Sequence, residues 1–300
     1  MIYGDLKISS INSVDLEKGF APLSKVDSSK PVFEVSGANL IASQDFSVMG
    51  SVFKTYPQGE VVTLPTLVSA TDYKVYATTA GLVAQEWDTA APTGSVEVGG
   101  FHAYHTGATI NPSSIWDIKF RPVSSPRGMT LSPGNIWVDI YLMDTNYGIN
   151  GYSQGNATIA DGGNFPIIPT IYGGDGTVNY GSLTWYEAWD LAIAAGKRLP
   201  FYGEFTGFAY GVIERQSVGT DPVTTQYNSG FRSACGVEQV TGVMYQLGAD
   251  VAATGGSVWT DIADGRGYVA GDNIKATIFG SRWGVGLYAG SRSSAWSVSP

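Results

Sequence analysis

Only one stretch of this chain, Thr184 to Ala209, repeats its apolar residues at the interval of an α-helix. Within it Trp185, Ala188, Trp189, Ala192 and Ile193 fall at i, i+3, i+4, i+7 and i+8, one apolar stripe. Thr184 and Glu187 have the spacing of a capping box, in which hydroxyl and carboxylate satisfy the free amides of the first turn. Gly196 stands where a left-handed residue ends a helix. Pro200 opens a shorter helix whose Phe201, Phe205, Phe208 and Ala209 share a face. Everything else must fold as strands and loops. Composition agrees: glycine supplies 39 of 300 residues and charged side chains 14%, the latter against about 25% in an ordinary soluble protein. The hydrophobic share, 43%, is enough to bury a core. The expected class is α+β, with two helices embedded in a β/loop domain.

Three regions follow from the pattern. Residues 1–30 scatter Ile2, Leu6, Ile8, Ile11, Val14 and Leu16 among polar residues. Such a segment has no core of its own and is expected to attach to a neighbour or to oligomerise. Residues 31–100 carry short strand-like runs separated by turns, as in Asp72–Thr78, where Tyr73, Val75 and Ala77 alternate with Lys74, Tyr76 and Thr78. Their spacing predicts a small antiparallel sandwich or barrel ending in or just after Pro92–Gly94. Residues 101–300 hold strand-like stretches at 115–120 and 136–142. A run of Gly, Asn, Asp and Pro from Asn150 to Gly181, too long for an ordinary connection, precedes the helices.

The chemistry-bearing residues are few. A net charge of −9 leaves no basic patch for a phosphate backbone, so nucleic acid is a poor partner. No run is apolar and long enough to span a membrane, and the first residues lack the features of a signal peptide. We therefore expect no membrane insertion and synthesis in a reducing cytosol. Cys235 is the single cysteine and can form neither an internal disulfide nor a cysteine-based zinc site alone. His102 and His105 are the only histidines; on a strand they would point to opposite faces, partly exposed, and could not share a metal. The glycines of Gly284–Gly290 lack nucleotide-loop spacing. Asp144–Gly148 begins like a calcium loop, but its glycine comes one place early and the twelfth position is not glutamate. No cofactor is expected, with a loop-bound structural calcium left open. Glu187, Glu204, Asp250, Asp261 and Asp264 read as capping, loop and turn residues rather than an acid pair, and no catalytic residue is assigned.

Four motifs carry a family resemblance: Pro126–Tyr141, the Gly-Lys-Arg-Leu-Pro of 196–200 followed by Glu204 and Phe205, Gly236–Asp250, and Gly280–Gly284 with Ala289–Arg292 and Trp296–Pro300. In this order they resemble the C-type lectin fold of the formylglycine-generating-enzyme type. More narrowly, they resemble that fold as used by phage major tropism determinants and the variable proteins of diversity-generating retroelements. Ser114–Pro122 also resembles these phage proteins. The resemblance is strong over about residues 100–300 and general over the β-rich first hundred.

It implies a phage tail-fibre or tail-tip receptor-binding protein on the virion, binding a bacterial surface protein or glycan, contacting other tail proteins, and forming a homotrimer. The alternatives are a metal-dependent oxidase of the formylglycine-generating type, whose copper-binding cysteine pair is missing, and a cellular ligand-binding variable protein. The resemblance implies a short stretch and a final strand past the position of Pro300, so either the domain closes differently or that strand comes from another segment or chain. From Gly280 to Pro300 there is no Asp, Glu or Lys, and Arg, Trp, Tyr, Ser and Gly dominate, the palette of a paratope. The receptor-binding candidates are Arg282, Val285, Leu287, Tyr288, Ser293, Ser294, Ala295, Ser297 and Val298. Trp283, Gly286, Gly290, Arg292 and Trp296 are read as scaffold, with Trp296 in the core.

Overall fold

The structure is a computed structural model and describes residues 22–50, 53–252, 259–260, 269–270 and 275–298. Residues 1–21, which make up most of the expected attachment segment, lie outside the described residues, as do Asp261 and Asp264. The chain divides into two compact units, one of residues 1–65, 74–99 and 116–120, the other of 66–73, 100–115 and 121–300. The division falls within two strands, Asp72–Ala77 and Val96–His102.

The first unit is built of short strands because its sequence alternates and is broken every few residues by turns. Phe46–Met49 pairs antiparallel with both Leu23–Lys25 and Phe53–Tyr56, and Phe33–Ser36 forms a hairpin with Asn39–Ala42. A five-stranded sheet runs Trp116–Asp117, Val96–His102, Asp72–Ala77, Leu82–Glu86, Val62–Thr63 in spatial order. Its last pair is parallel, a departure from the expected all-antiparallel pattern. The two strands are not consecutive, because Asp72–Ala77 lies between them in the chain, so no hairpin forces them to run antiparallel. Phe33, Phe46 and Tyr56 are buried and pack ring on ring, with centroids 5.6 and 5.1 Å apart. Each buried ring contributes about 1.5–3 kcal/mol. The Lys25 ammonium meets the Asp117 carboxylate at 2.8 Å with both side chains essentially sealed from solvent. Asp117 also accepts from the amides of Val32, Lys119 and Phe120. These bonds supply the hydrogen bonding that a buried charge needs.

The second unit is mostly strands and loops around the two expected helices, Trp185–Ala194 and Tyr202–Phe208. Thr184 and Glu187 form the reciprocal capping box, and Gly196 has φ +68°. The apolar stripe is broader than the sequence period indicates. Ile193 is half exposed, whereas Leu191 is fully buried. A second side of the helix therefore faces the turn Tyr147–Asn150, where Leu191 lies beside Gly148. A side chain at Gly148 would place its Cβ 1.9 Å from the Ile167 carbonyl oxygen. The core gathers Phe205, Phe208, Val212, Cys235, Val237, Val240 and Phe279; Phe205 and Phe279 stack at 4.8 Å.

The Gly-Lys-Arg-Leu-Pro motif acts as a clasp. Lys197 donates to Asp139 at 2.6 Å and to the Gly151 carbonyl, and Arg198 grips Glu204 with both terminal nitrogens. The long 150–181 run is held mainly by backbone bonds, among them Asn156 to Thr225 and Ile168 to Val178. The chain ends in an antiparallel sheet ordered Gln246–Ala252, Lys275–Phe279, Ser294–Val298. No described helix is long and apolar enough to cross a membrane.

Candidate functional site

Arg282, Val285, Leu287, Tyr288 and Ser293 lie in the excursion between the last two strands, and Ser294, Ala295, Ser297 and Val298 lie on the last strand itself. Gly280, at φ +79°, turns the chain out of Lys275–Phe279; a Cβ there would stand 2.9 Å from the Val240 carbonyl oxygen. Ser281 is buried and donates its hydroxyl to the Val285 carbonyl. Arg282 then bridges to Val243, and Trp283 donates its amide to the Val243 carbonyl. A single 3-10 turn, Gly286–Tyr288, follows. Ala289, 2% exposed, plugs the loop into the body of the unit and leaves Leu287 and Tyr288 outside at 59% and 68% exposure. The Ser293 hydroxyl closes the loop onto the Tyr288 carbonyl, and the chain re-enters the sheet at Ser294.

The loop is backed by a segment remote in sequence. The Arg215 amide donates to Ala289, and the Gly219 amide to Trp283. Glu214 accepts from the Ser291 amide with both oxygens, at 3.2 and 3.1 Å, and from the Ser291 hydroxyl at 2.6 Å. No local spacing pattern in the sequence marks this strap, because its partners lie about seventy residues away.

Arg282, Leu287 and Tyr288 are exposed on this excursion and Ser294 and Ala295 at the start of the last strand, while Val285 and Ser293 are half-buried. Ser297 and Val298 belong to the last strand, but their side chains lie outside the described residues. Two scaffold assignments need correction. Trp296 is half exposed, because it sits on the last strand of its sheet and is paired only with Thr277 on the inner side. Arg292 is also exposed. The Arg282 guanidinium lies 5.7 Å from the Trp283 ring centroid.

Several titratable groups elsewhere in this unit are inward-facing. His102 is buried, with Nδ1 2.8 Å from Asp72 and Nε2 3.2 Å from the Tyr141 hydroxyl. The strand ends at His102, so His105 lies beyond it in a turn, and both rings meet Tyr141, at 5.6 and 5.9 Å. The expectation of partial exposure is therefore corrected for His102, which is buried, while His105 is partly exposed in its turn as expected; the two rings converge on Tyr141 and do not point to opposite faces. Burial, with Arg232 nearby, pushes the His105 imidazole below its ordinary value; burial pushes the Tyr141 hydroxyl far up. Burial also raises the Cys235 thiol, which lies in the core. Asp144 accepts from the amides of Asn146 and Gln154, so backbone donors occupy both its oxygens. Among the described residues, no three His, Cys, Asp or Glu side chains are grouped to hold a metal ion.

Strands and loops around two short helices, with an exposed excursion between the closing strands, define a C-type lectin-like protein; this fold is confirmed by comparison. The chain is 36% identical over 306 aligned positions to the "Tail fiber receptor-binding protein" of Bordetella phage BPP-1, covering 92% of this chain and 80% of that one. It superposes on the solved structure of the Major Tropism Determinant I1 variant with a TM-score of 0.87 at 35% identity, over 92% of this chain and 81% of the other. The M1 variant gives 0.87 at 34% identity, over 93% and 81%. No family model matches the sequence. The chain belongs to the major tropism determinant family of tail fiber receptor-binding proteins.

Proposed function

We propose that this chain is a phage receptor-binding adhesin, located on the tail of the virion, that contacts a bacterial surface molecule through the excursion at 282–298. The observation that carries the reading is the exposure of Leu287 and Tyr288 on a loop whose backbone is pinned on both sides. That arrangement meets the requirement of a contact surface: large side chains presented with little conformational freedom left to lose on binding. Arg282, Val285, Ser293, Ser294, Ala295, Ser297 and Val298 complete the proposed face.

Binding, not catalysis, is the proposed activity, and it needs no cofactor. The lone cysteine is packed in the core, and His102 is engaged on both ring nitrogens. We read the architecture as α+β, with an attachment segment at 1–30, a β-rich domain at 31–100 and the lectin-like domain at 101–300. Attachment to other tail proteins and assembly into a homotrimer are assigned to the N-terminal part, whose sequence scatters its apolar residues among polar ones.

The test is direct binding of the purified full chain to intact bacteria and isolated envelope fractions, with its mass in solution measured alongside. Saturable binding that survives a chelator, by a particle three times the chain mass, is expected. Absence of saturable binding to any strain tested, or metal-dependent oxygen consumption, would contradict the adhesin reading. A compact monomer would remove the trimer.

A further inference from the structure

We propose that Glu214 is a positioning residue for the contact face: its carboxylate fixes the loop that presents Leu287 and Tyr288. The inference rests on the adhesin reading above. Two donors of Ser291 converge on one carboxylate, the amide in a bifurcated bond to both oxygens and the hydroxyl to one. The residue before Ser291 is shaped to let that carboxylate approach. A Cβ on Gly290 would lie 2.1 Å from Glu214 Oε2, so any larger residue there would displace the carboxylate.

The neighbouring Arg215 has φ +58°, a left-handed conformation that is uncommon outside glycine and marks a backbone held by its surroundings. Its amide is committed to the Ala289 carbonyl at 2.8 Å. Gly286 is seated on the same strap, where a Cβ would meet the Ser217 amide nitrogen at 3.0 Å. The loop is thus held at Gly286, Ala289 and Ser291, and the side chains between and beside these points are the exposed ones. Glu214 is itself exposed and meets the loop through its hydrogen bonds to Ser291. Its carboxylate also supplies charge-assisted hydrogen bonds, which are stronger than neutral ones. Without it the loop would sample other arrangements, and binding would have to select the competent one, weakening the apparent affinity by the fraction lost.

The experiment compares Glu214→Ala, Glu214→Gln, Tyr288→Ala and the Glu214→Ala/Tyr288→Ala double variant in the full chain. Three quantities are read: hydrogen exchange of the 286–293 amides, melting temperature, and adsorption to intact cells of a bacterial strain that the wild-type protein binds. Glu214→Ala should speed exchange in 286–293, leave melting near wild type, and weaken adsorption on the order of tenfold. Glu214→Gln should restore much of the loss, since its carbonyl can accept from the Ser291 amide. In the Tyr288→Ala background, Glu214→Ala should add little, because it acts through the same side chain. Unchanged exchange and adsorption in Glu214→Ala would overturn the proposal, as would losses that simply add in the double variant. If Tyr288→Ala reduces adsorption and Glu214→Ala does not, the positioning role alone fails. If Tyr288→Ala adsorbs normally, the face itself is misassigned and the positioning role falls with it.

Discussion

Arg232 and Arg282 belong to the same unit, each lies against aromatic rings, and their surroundings are opposite. The Arg232 guanidinium is held between Tyr104 and Tyr227, 4.4 Å from each ring centroid, and binds Glu238, which is 1% exposed. Arg282 has the single ring of Trp283 beneath it and faces solvent. Arginine and aromatic rings therefore build a largely covered internal clasp in one place and an open surface in another. The difference lies in burial: Arg232 is committed to Glu238 within the fold, and Arg282 is left facing solvent.

The comparison can be broken first at the clasp. Arg232→Ala leaves the Glu238 carboxylate buried without its cation, and loss of one partner of a buried pair costs roughly 3–5 kcal/mol. Denaturant unfolding should show a loss of that size. Burial already holds the Glu238 carboxyl above its ordinary 4.5, with Arg232 pulling it back down. A carboxyl raised in the folded state costs stability as pH rises through and above its unfolded value. The deficit of Arg232→Ala should accordingly be smaller at pH 5 than at pH 8. A deficit independent of pH would mean that lost packing, not the stranded charge, is responsible.

Trp296→Ala sharpens the comparison on the other side. A tryptophan lost from a packed core costs about 3–5 kcal/mol. Trp296 is 50% exposed, and its truncation should cost roughly 1 kcal/mol, from the partial loss of apolar burial. A melting temperature as low as that of Arg232→Ala would return Trp296 to the scaffold.

The smallest effect concerns His105. Its imidazole is held below the ordinary 6.5, first by burial and then by Arg232. The unfolded chain therefore binds the proton more readily, and stability falls as pH drops below 6.5. His105→Gln should flatten that fall, as read by melting at a series of pH values between 5 and 7.5. An unchanged pH profile would show that the histidine is not the titrating group.

The sequence carried the helices and the motifs well, because both are local. Thr184 and Glu187 cap as their spacing requires, and the Gly-Lys-Arg-Leu-Pro run is specific enough to name a fold. It was less informative wherever burial depends on distant chain. Nothing near His102 marks it as buried, since its partners Asp72 and Tyr141 come from separate segments. Leu191 lies off the apolar stripe and is buried only because the Tyr147–Asn150 turn passes over it. Trp296 was misjudged for the converse reason: its large apolar ring favours the core, but the last strand of a sheet leaves one side uncovered. The excursion at 282–296 was legible from its composition. The strap at 214–219 was not, because a carboxylate that grips a serine seventy-seven residues on leaves no periodic trace.

The most direct measurement sets adsorption beside melting for Arg282→Ala and Tyr288→Ala, with Arg232→Ala as the internal control. Tyrosine and arginine are frequent interface hot spots, worth about 1–3 kcal/mol or more when central and desolvated. Both surface variants should adsorb to host cells at least roughly fivefold more weakly while melting with the wild-type protein, and several sites engaging one cell multiply the loss. Arg232→Ala should melt early. Normal adsorption by both Arg282→Ala and Tyr288→Ala would contradict the assignment of the binding face, and early melting of either would place that side chain in the fold.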